Sequence, residues 1–125
     1  MSKYLSLIFI LLILSCSEDK LPQTESEILA EMNQVYSQIE DLVILSCTSS
    51  SQCIATPLGV KPCGGPSEYI VHSTATDQIR LNALISRYNK LNEQYNTVSG
   101  IGSDCSIENP PAVSCISGAC VEIEN

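Results

Sequence analysis

Residues 74–100 read TATDQIRLNALISRYNKLNEQYNTVSG, and this stretch decides the fold. Leu81, Leu84, Tyr88, Leu91, Tyr95 and Val98 recur at alternating steps of three and four, with Ile85 broadening the stripe. That spacing puts the apolar side chains on one face of a helix and predicts an amphipathic helix over about 75–98. Asn82, Asn89, Asn92 and Asn96 fall mostly on the other sides, and Gly100 supplies a stop. Working back along the chain, Thr24-Glu25-Ser26-Glu27 fits a capping box, with acids at the positive end of the helix dipole. Ile28, Met32, Val35, Ile39 and Leu42 then recur at helical steps, widened by Leu29, Tyr36 and Val43. This predicts a first helix over about 25–45. Two apolar stripes of similar length are expected to pack on each other, or side by side on a small sheet.

The segments around these helices read as short strands and turns. Gln52 to Thr56 is a strand expected to end at Pro57. Leu58 to Pro66 is dense in Gly and Pro, and Ser67 to Ser73 contains the strand-like Tyr69-Ile70-Val71. After an irregular stretch from Ile101 to Pro111, Val113–Ile116 and Ala119–Ile123 flank Ser117-Gly118, which reads as a hairpin with a two-residue turn. The fold class is therefore α+β: two long amphipathic helices with a small antiparallel sheet or hairpin.

The first residues have a different character. Lys3 precedes Leu5–Leu14, a ten-residue stretch apolar except for Ser6. It is too short for a spanning helix of about 20 residues and has the length and flanks of a secretory signal. Ile13-Leu14-Ser15-Cys16 then resembles the lipobox of bacterial lipoproteins, where an aliphatic and a small residue precede a cysteine. The resemblance implies that residues 1–15 are removed, that Cys16 carries lipid, and that residues 16–23 form a lipidated tether below a domain spanning 24–125. Extended, that tether reaches at most about 26–29 Å. Ser17 at the second position implies outer-membrane delivery. Cys16-Ser17-Glu18-Asp19-Lys20 resembles a short acidic surface-export signal, so either the periplasmic face or the cell surface is expected.

Cysteine parity agrees. The chain has seven cysteines; setting Cys16 aside leaves Cys47, Cys53, Cys63, Cys105, Cys115 and Cys120. In an exported chain six thiols pair into three disulfides, with fifteen possible connectivities that the sequence leaves open. Each bridge contributes roughly 2–4 kcal/mol by restricting the unfolded chain. The gaps are C-x5-C-x9-C and C-x9-C-x4-C, so no C-x-x-C redox motif occurs, and Cys115-x4-Cys120 alone has the close spacing of which a zinc site needs two pairs.

Charge and composition narrow the chemistry. The 14 acids outweigh 6 bases, and after removal of residues 1–15 five bases remain. No nucleic-acid partner is expected, because a phosphate backbone is held by clustered Lys and Arg. His72 is the single histidine, and no reactive Ser or free Cys is marked by context. Asp104 and Glu108 are loop acids without a spacing that requires acid–base work, and no alternating Asp/Asn calcium loop occurs. No catalytic residue, metal ligand or cofactor is therefore assigned. The candidate binding surface is the loop between Cys53 and Cys63, stiffened by Pro57 and Pro62, with Lys61, Pro62, Gly64 and Gly65 as the candidate contact residues and Lys61 expected to be exposed. A second candidate loop is Ser103–Pro110.

From Cys47 to Cys120 the cysteine spacing, Gly-Val-Lys-Pro-Cys-Gly-Gly-Pro-Ser-Glu-Tyr, and Cys-Ile-Ser-Gly-Ala-Cys are similar to small six-cysteine bacterial lipoproteins of unknown function. The expectation is a non-enzymatic, lipid-anchored envelope protein that binds or supports another molecule, held to the membrane by its N-terminal lipid. The alternative is an inhibitor of a protease or lysozyme, in which the acidic chain attracts a basic enzyme.

Overall fold

A computed structural model describes residues 22–124. The expected signal, Cys16 and all but the last two residues of the tether lie outside the described residues. Helix α1 spans Glu25–Leu42, and helix α2 spans Gln78–Ser99. Strands β1 (Cys53–Leu58) and β2 (Glu68–Ser73) form one antiparallel pair; β3 (Ala112–Ile116) and β4 (Ala119–Ile123) form another. The architecture is the expected α+β class, with the small sheet realised as two hairpins.

The capping box forms as the sequence predicts. The Glu27 N–H donates to Thr24 Oγ1 at 3.3 Å, and Glu27 Oε2 accepts from the Thr24 N–H at 2.8 Å. The Thr24 N–H and hydroxyl both donate to Glu27 Oε2 and hold the Glu27 carboxyl below the usual glutamate range. The first helix ends at Leu42 rather than about residue 45, because the next residues find tertiary partners. The Ile44 N–H donates to Thr76 Oγ1 at 3.0 Å, and the Ile44 carbonyl accepts from Ser73 N–H at 2.7 Å. The second helix starts at Gln78, capped by Asp77, whose carboxylate accepts from the Arg80 N–H at 3.0 Å. Gly100 closes it in the left-handed conformation with φ 63°.

The two helices pack on each other. Ile28, Met32, Val35 and Ile39 of α1 meet Leu81, Ile85 and Leu91 of α2, with Leu58 of β1 closing the core. Tyr36 and Tyr88 add a tilted ring pair with centroids 6.0 Å apart. Leu84 is only half-buried, and Leu29 and Val98 are exposed, so the stripes are narrower than their sequence periodicity.

Pro57 lies inside β1 rather than ending it. Its phase explains why. The outward Ser73 N–H makes Cys53 and Ser73 a pair without mutual bonds, so by alternation Pro57 and Tyr69 are also such a pair. The ring therefore replaces an N–H that points away from β2, on the open edge of β1.

The β3–β4 hairpin turns through Ser117 (φ 52°) and Gly118 (φ 81°), the two positive angles of a type I′ turn. It is joined to the rest through an extended segment: Cys120 N–H donates to the Leu45 carbonyl, and Cys47 N–H to the Gly118 carbonyl. All six cysteines pair: Cys47–Cys115, Cys53–Cys120 and Cys63–Cys105. Among the described residues no helix is long and apolar enough to cross a membrane.

Candidate functional site

The loop after β1 is pinned by the asparagines of α2. Asn89 Oδ1 accepts from the Gly59 N–H at 2.8 Å, and Asn92 Oδ1 from the Val60 N–H at 2.7 Å. Asn96 Nδ2 donates to the Val60 carbonyl at 2.7 Å. These amides satisfy backbone groups that leave the strand ladder beside the helix. Gly59 has φ 78°, and a Cβ there would sit 2.7 Å from Ser67 Oγ and 3.1 Å from Asn92 Oδ1, so this contact requires glycine. The sequence places these asparagines mostly off the apolar face of α2 and assigns them no partner. Their spacing of three and four is the signal that could have found them, because it aligns amides along one side of α2.

The sequence predicts an exposed Lys61, but in the fold Lys61 does not stand free. Its ammonium donates to the Ser106 carbonyl, to Ser106 Oγ and to Glu108 Oε1, each at 3.0 Å, and its side chain is 15% exposed. The physical reason is that Cys63–Cys105 joins the two candidate loops and brings 103–110 over Lys61. Asp104 shares this joint: the Ser106 N–H donates to its carboxylate, which, with Lys61 nearby, holds its pKa below the usual range. Pro62, Gly64 and Gly65 remain exposed. Pro62 and Gly64 border an open depression of about 390 Å³ against Glu93, Asn96 and Thr97 of α2.

His72 is fully buried. Nδ1 sits 3.1 Å from the Ser73 carbonyl, which can only accept, so Nδ1 carries the proton. Nε2 is 2.7 Å from Thr56 Oγ1, which donates to it in the neutral ring. Both nitrogens are thus occupied, and the nearby sequence acids lie elsewhere: Asp77 caps α2, and Glu68 heads β2. The sulfurs of Cys47, Cys53 and Cys120 lie within 4.8 Å of one another. All three are bound in disulfides, and a metal ligand needs the thiolate.

The outer edge of β2 forms a second surface that the sequence reading did not single out. Ser73 turns its N–H outward to Ile44, so Val71 and Tyr69, two and four residues earlier, also turn their N–H and carbonyl groups outward. Among the described residues these outward groups have no hydrogen-bond partner. A groove of about 260 Å³ runs along this edge, lined on the helix side by Tyr36, Ile39, Glu40 and Val43, closed by Leu45, and floored by Tyr69–Val71. At Tyr69 it meets a second depression of about 350 Å³ that includes Glu68, Glu108 and Glu122. Burial of its carboxyl and the neighbouring Glu40 charge push the Glu68 pKa up. Burial and the Glu68 charge push the Tyr36 and Tyr88 phenols up as well. Among the described residues, Glu108 is the one acid here with a basic partner, Lys61.

The arrangement suits binding. Among the described residues it offers an edge with free backbone donors and acceptors, an apolar wall, and carboxylates of which Glu40, Glu68 and Glu122 have no ion-pair partner. No protein-family model matches this chain, and no curated protein or solved structure matches it either.

Proposed function

We propose that this chain is an exported, lipid-anchored, non-enzymatic module of the cell envelope that binds or supports another molecule. The observation that carries the reading is cysteine parity: six cysteines close three bridges, and the one left over is Cys16, behind the lipobox-like Ile13-Leu14-Ser15. Pairing of this kind belongs to an oxidising compartment. A cysteine directly after a secretory signal is the position that lipoprotein maturation modifies. The outer membrane, on its periplasmic face or at the cell surface, is the location this reading takes from Ser17 and the acidic tether. The role assigned is binding rather than catalysis, since His72 is committed to Thr56 and Ser73 and Lys61 to Ser106 and Glu108. Inhibition of a basic enzyme remains the alternative form of binding, with the exposed Pro62–Gly65 tip as its contact.

Metabolic labelling with a radioactive fatty acid tests the anchor. Label enters the wild-type chain and is absent from Cys16→Ala, which stays unprocessed or becomes soluble. Label persisting in Cys16→Ala overturns the assignment. In parallel, alkylation of the denatured chain adds no group to the six paired cysteines without reductant and six with it.

A further inference from the structure

We propose that the outer edge of β2 is a strand-docking site, and that its occupant is an extended segment of a partner protein that carries both apolar and basic residues. The inference rests on the reading of this chain as a binding module, but not on its lipid anchor.

Three features converge on it. The first is hydrogen bonding. Tyr69 and Val71 present outward N–H and carbonyl groups in strand geometry, while Ser73, one step further, already uses its outward N–H on Ile44. The extended segment from Ile44 thus occupies one end of the edge and leaves the rest open. Unpaired edge groups of this kind template another strand, and main-chain bonds then supply affinity without regard to sequence.

The second is the shape on either side of the edge. Side chains of an added strand point alternately to opposite faces. The groove lined by Tyr36, Ile39, Glu40, Val43 and Leu45 offers apolar contact with a carboxylate in its wall. At Tyr69 it meets the depression that contains Glu68, Glu108 and Glu122. A partner segment that brings both apolar and basic side chains suits this mixed lining.

The third is charge. Glu40 and Glu68 flank the edge, neither has a basic partner among the described residues, and the Glu40 charge raises the cost of ionising Glu68. A cation from a partner relieves that repulsion. A second copy of this chain would instead set the same carboxylates against their own counterparts, which disfavours edge-to-edge self-pairing.

The test uses the full chain in nonionic detergent, with backbone amides followed by nuclear magnetic resonance. The probe is an acetylated, amidated hexapeptide of alternating lysine and valine. Two analogues carry N-methyl groups on either the three valines or the three lysines. In a strand, only one of these sets faces β2, so one analogue loses binding and the other keeps it. The parent peptide is expected to bind saturably, to slow hydrogen exchange at Tyr69 and Val71, and to weaken as salt screens the carboxylates. The alternating glutamate–valine hexapeptide should not bind. Val71→Pro deletes an outward donor that β1 does not use, and should weaken binding about tenfold. Glu68→Gln should weaken it about twofold to fivefold.

Equal binding of both methylated analogues, perturbations centred away from Tyr69 and Val71, or no saturable binding at millimolar peptide overturns the proposal. So does protection of these amides in a peptide-free dimer, which would make a second copy the occupant. If Val71→Pro fails to fold, the methylated pair still decides. Fatty-acid labelling of Cys16 is read separately. Labelled protein that ignores the peptide sinks the docking site alone, and unlabelled protein that binds it sinks the anchor alone.

Discussion

Asn89→Ala isolates the polar seam between α2 and the loop after β1. The Gly59 N–H that Asn89 accepts belongs to a buried residue, so truncation leaves a donor without a partner. Stranding such a group costs about 1–3 kcal/mol. Alanine also forms helix better than asparagine, returning roughly 0.5 kcal/mol. The net loss is therefore about 0.5–2.5 kcal/mol. Asn82→Ala is the control, on the same helix with the same chemistry, but its side chain is exposed and makes no hydrogen bond among the described residues. It should stabilise by roughly 0.5 kcal/mol. The two variants thus differ in sign. Urea denaturation with disulfides intact reads both; at an m-value of about 1.5 kcal/mol/M, Asn89→Ala lowers the midpoint by roughly 1 M. Hydrogen exchange at Gly59 should accelerate in Asn89→Ala and stay unchanged in Asn82→Ala. If both substitutions move the midpoint the same way by similar amounts, the asparagines are not holding the loop and the reasoning fails.

Lys61→Ala removes three hydrogen bonds from a mostly covered ammonium and should cost about 1 kcal/mol in the same urea assay, with faster exchange in residues 103–110; a change within about 0.3 kcal/mol would contradict the clamp. Leu81→Ala should cost about 2–5 kcal/mol because Leu81 is fully buried, whereas Leu84→Ala, at a half-buried position, should cost distinctly less. The raised Glu68 pKa means that the folded state holds this proton more tightly than the unfolded chain does. Its contribution to stability is present below the ordinary glutamate range and is lost as pH rises through the raised folded value. Glu68→Gln should therefore raise the urea midpoint at pH 7 relative to wild type and lose that advantage at pH 3; an advantage that grows on acidification would reverse the sign.

The features written most clearly in the chain are those whose cause is local. Thr24 and Glu27 cap α1 with their own backbone, Gly100 closes α2 with its own φ, and Ser117-Gly118 turn a hairpin between their own strands. Cysteine parity announces three bridges, but their pairing depends on which strands come together. Pro57 shows the same limit. Whether a proline ends a strand or rides its edge is set by which neighbour its missing N–H would face, and that neighbour is β2, far along the chain. Lys61 reads as a free loop cation until Cys63–Cys105 draws Ser106 and Glu108 over it. The β2 edge was illegible for a related reason. Tyr69-Ile70-Val71 reads as a strand, but its exposure as an edge follows from the short course of Ile44–Cys47 beside it.

The placement of the disulfides gives the molecule an unequal response to mechanical load. Every bridge lies between Cys47 and Cys120, so α1 precedes all the covalent loops and is held only by non-covalent contacts, its packing on α2 and the Glu31–Arg87 ion pair among them. A pull from the N-terminal side, with the far end of the chain fixed, must therefore strip residues 25–46 before it reaches a bond that cannot yield. That segment can lengthen to roughly 75 Å. Beyond it, tension passes from Cys47 straight to Cys115 through sulfur and bypasses β1, β2 and α2. The first helix is thus a mechanical fuse: it gives way under load, uncovers the face of α2 it had sheltered, and leaves the three bridges unbroken, so that the rest of the chain stays tied together.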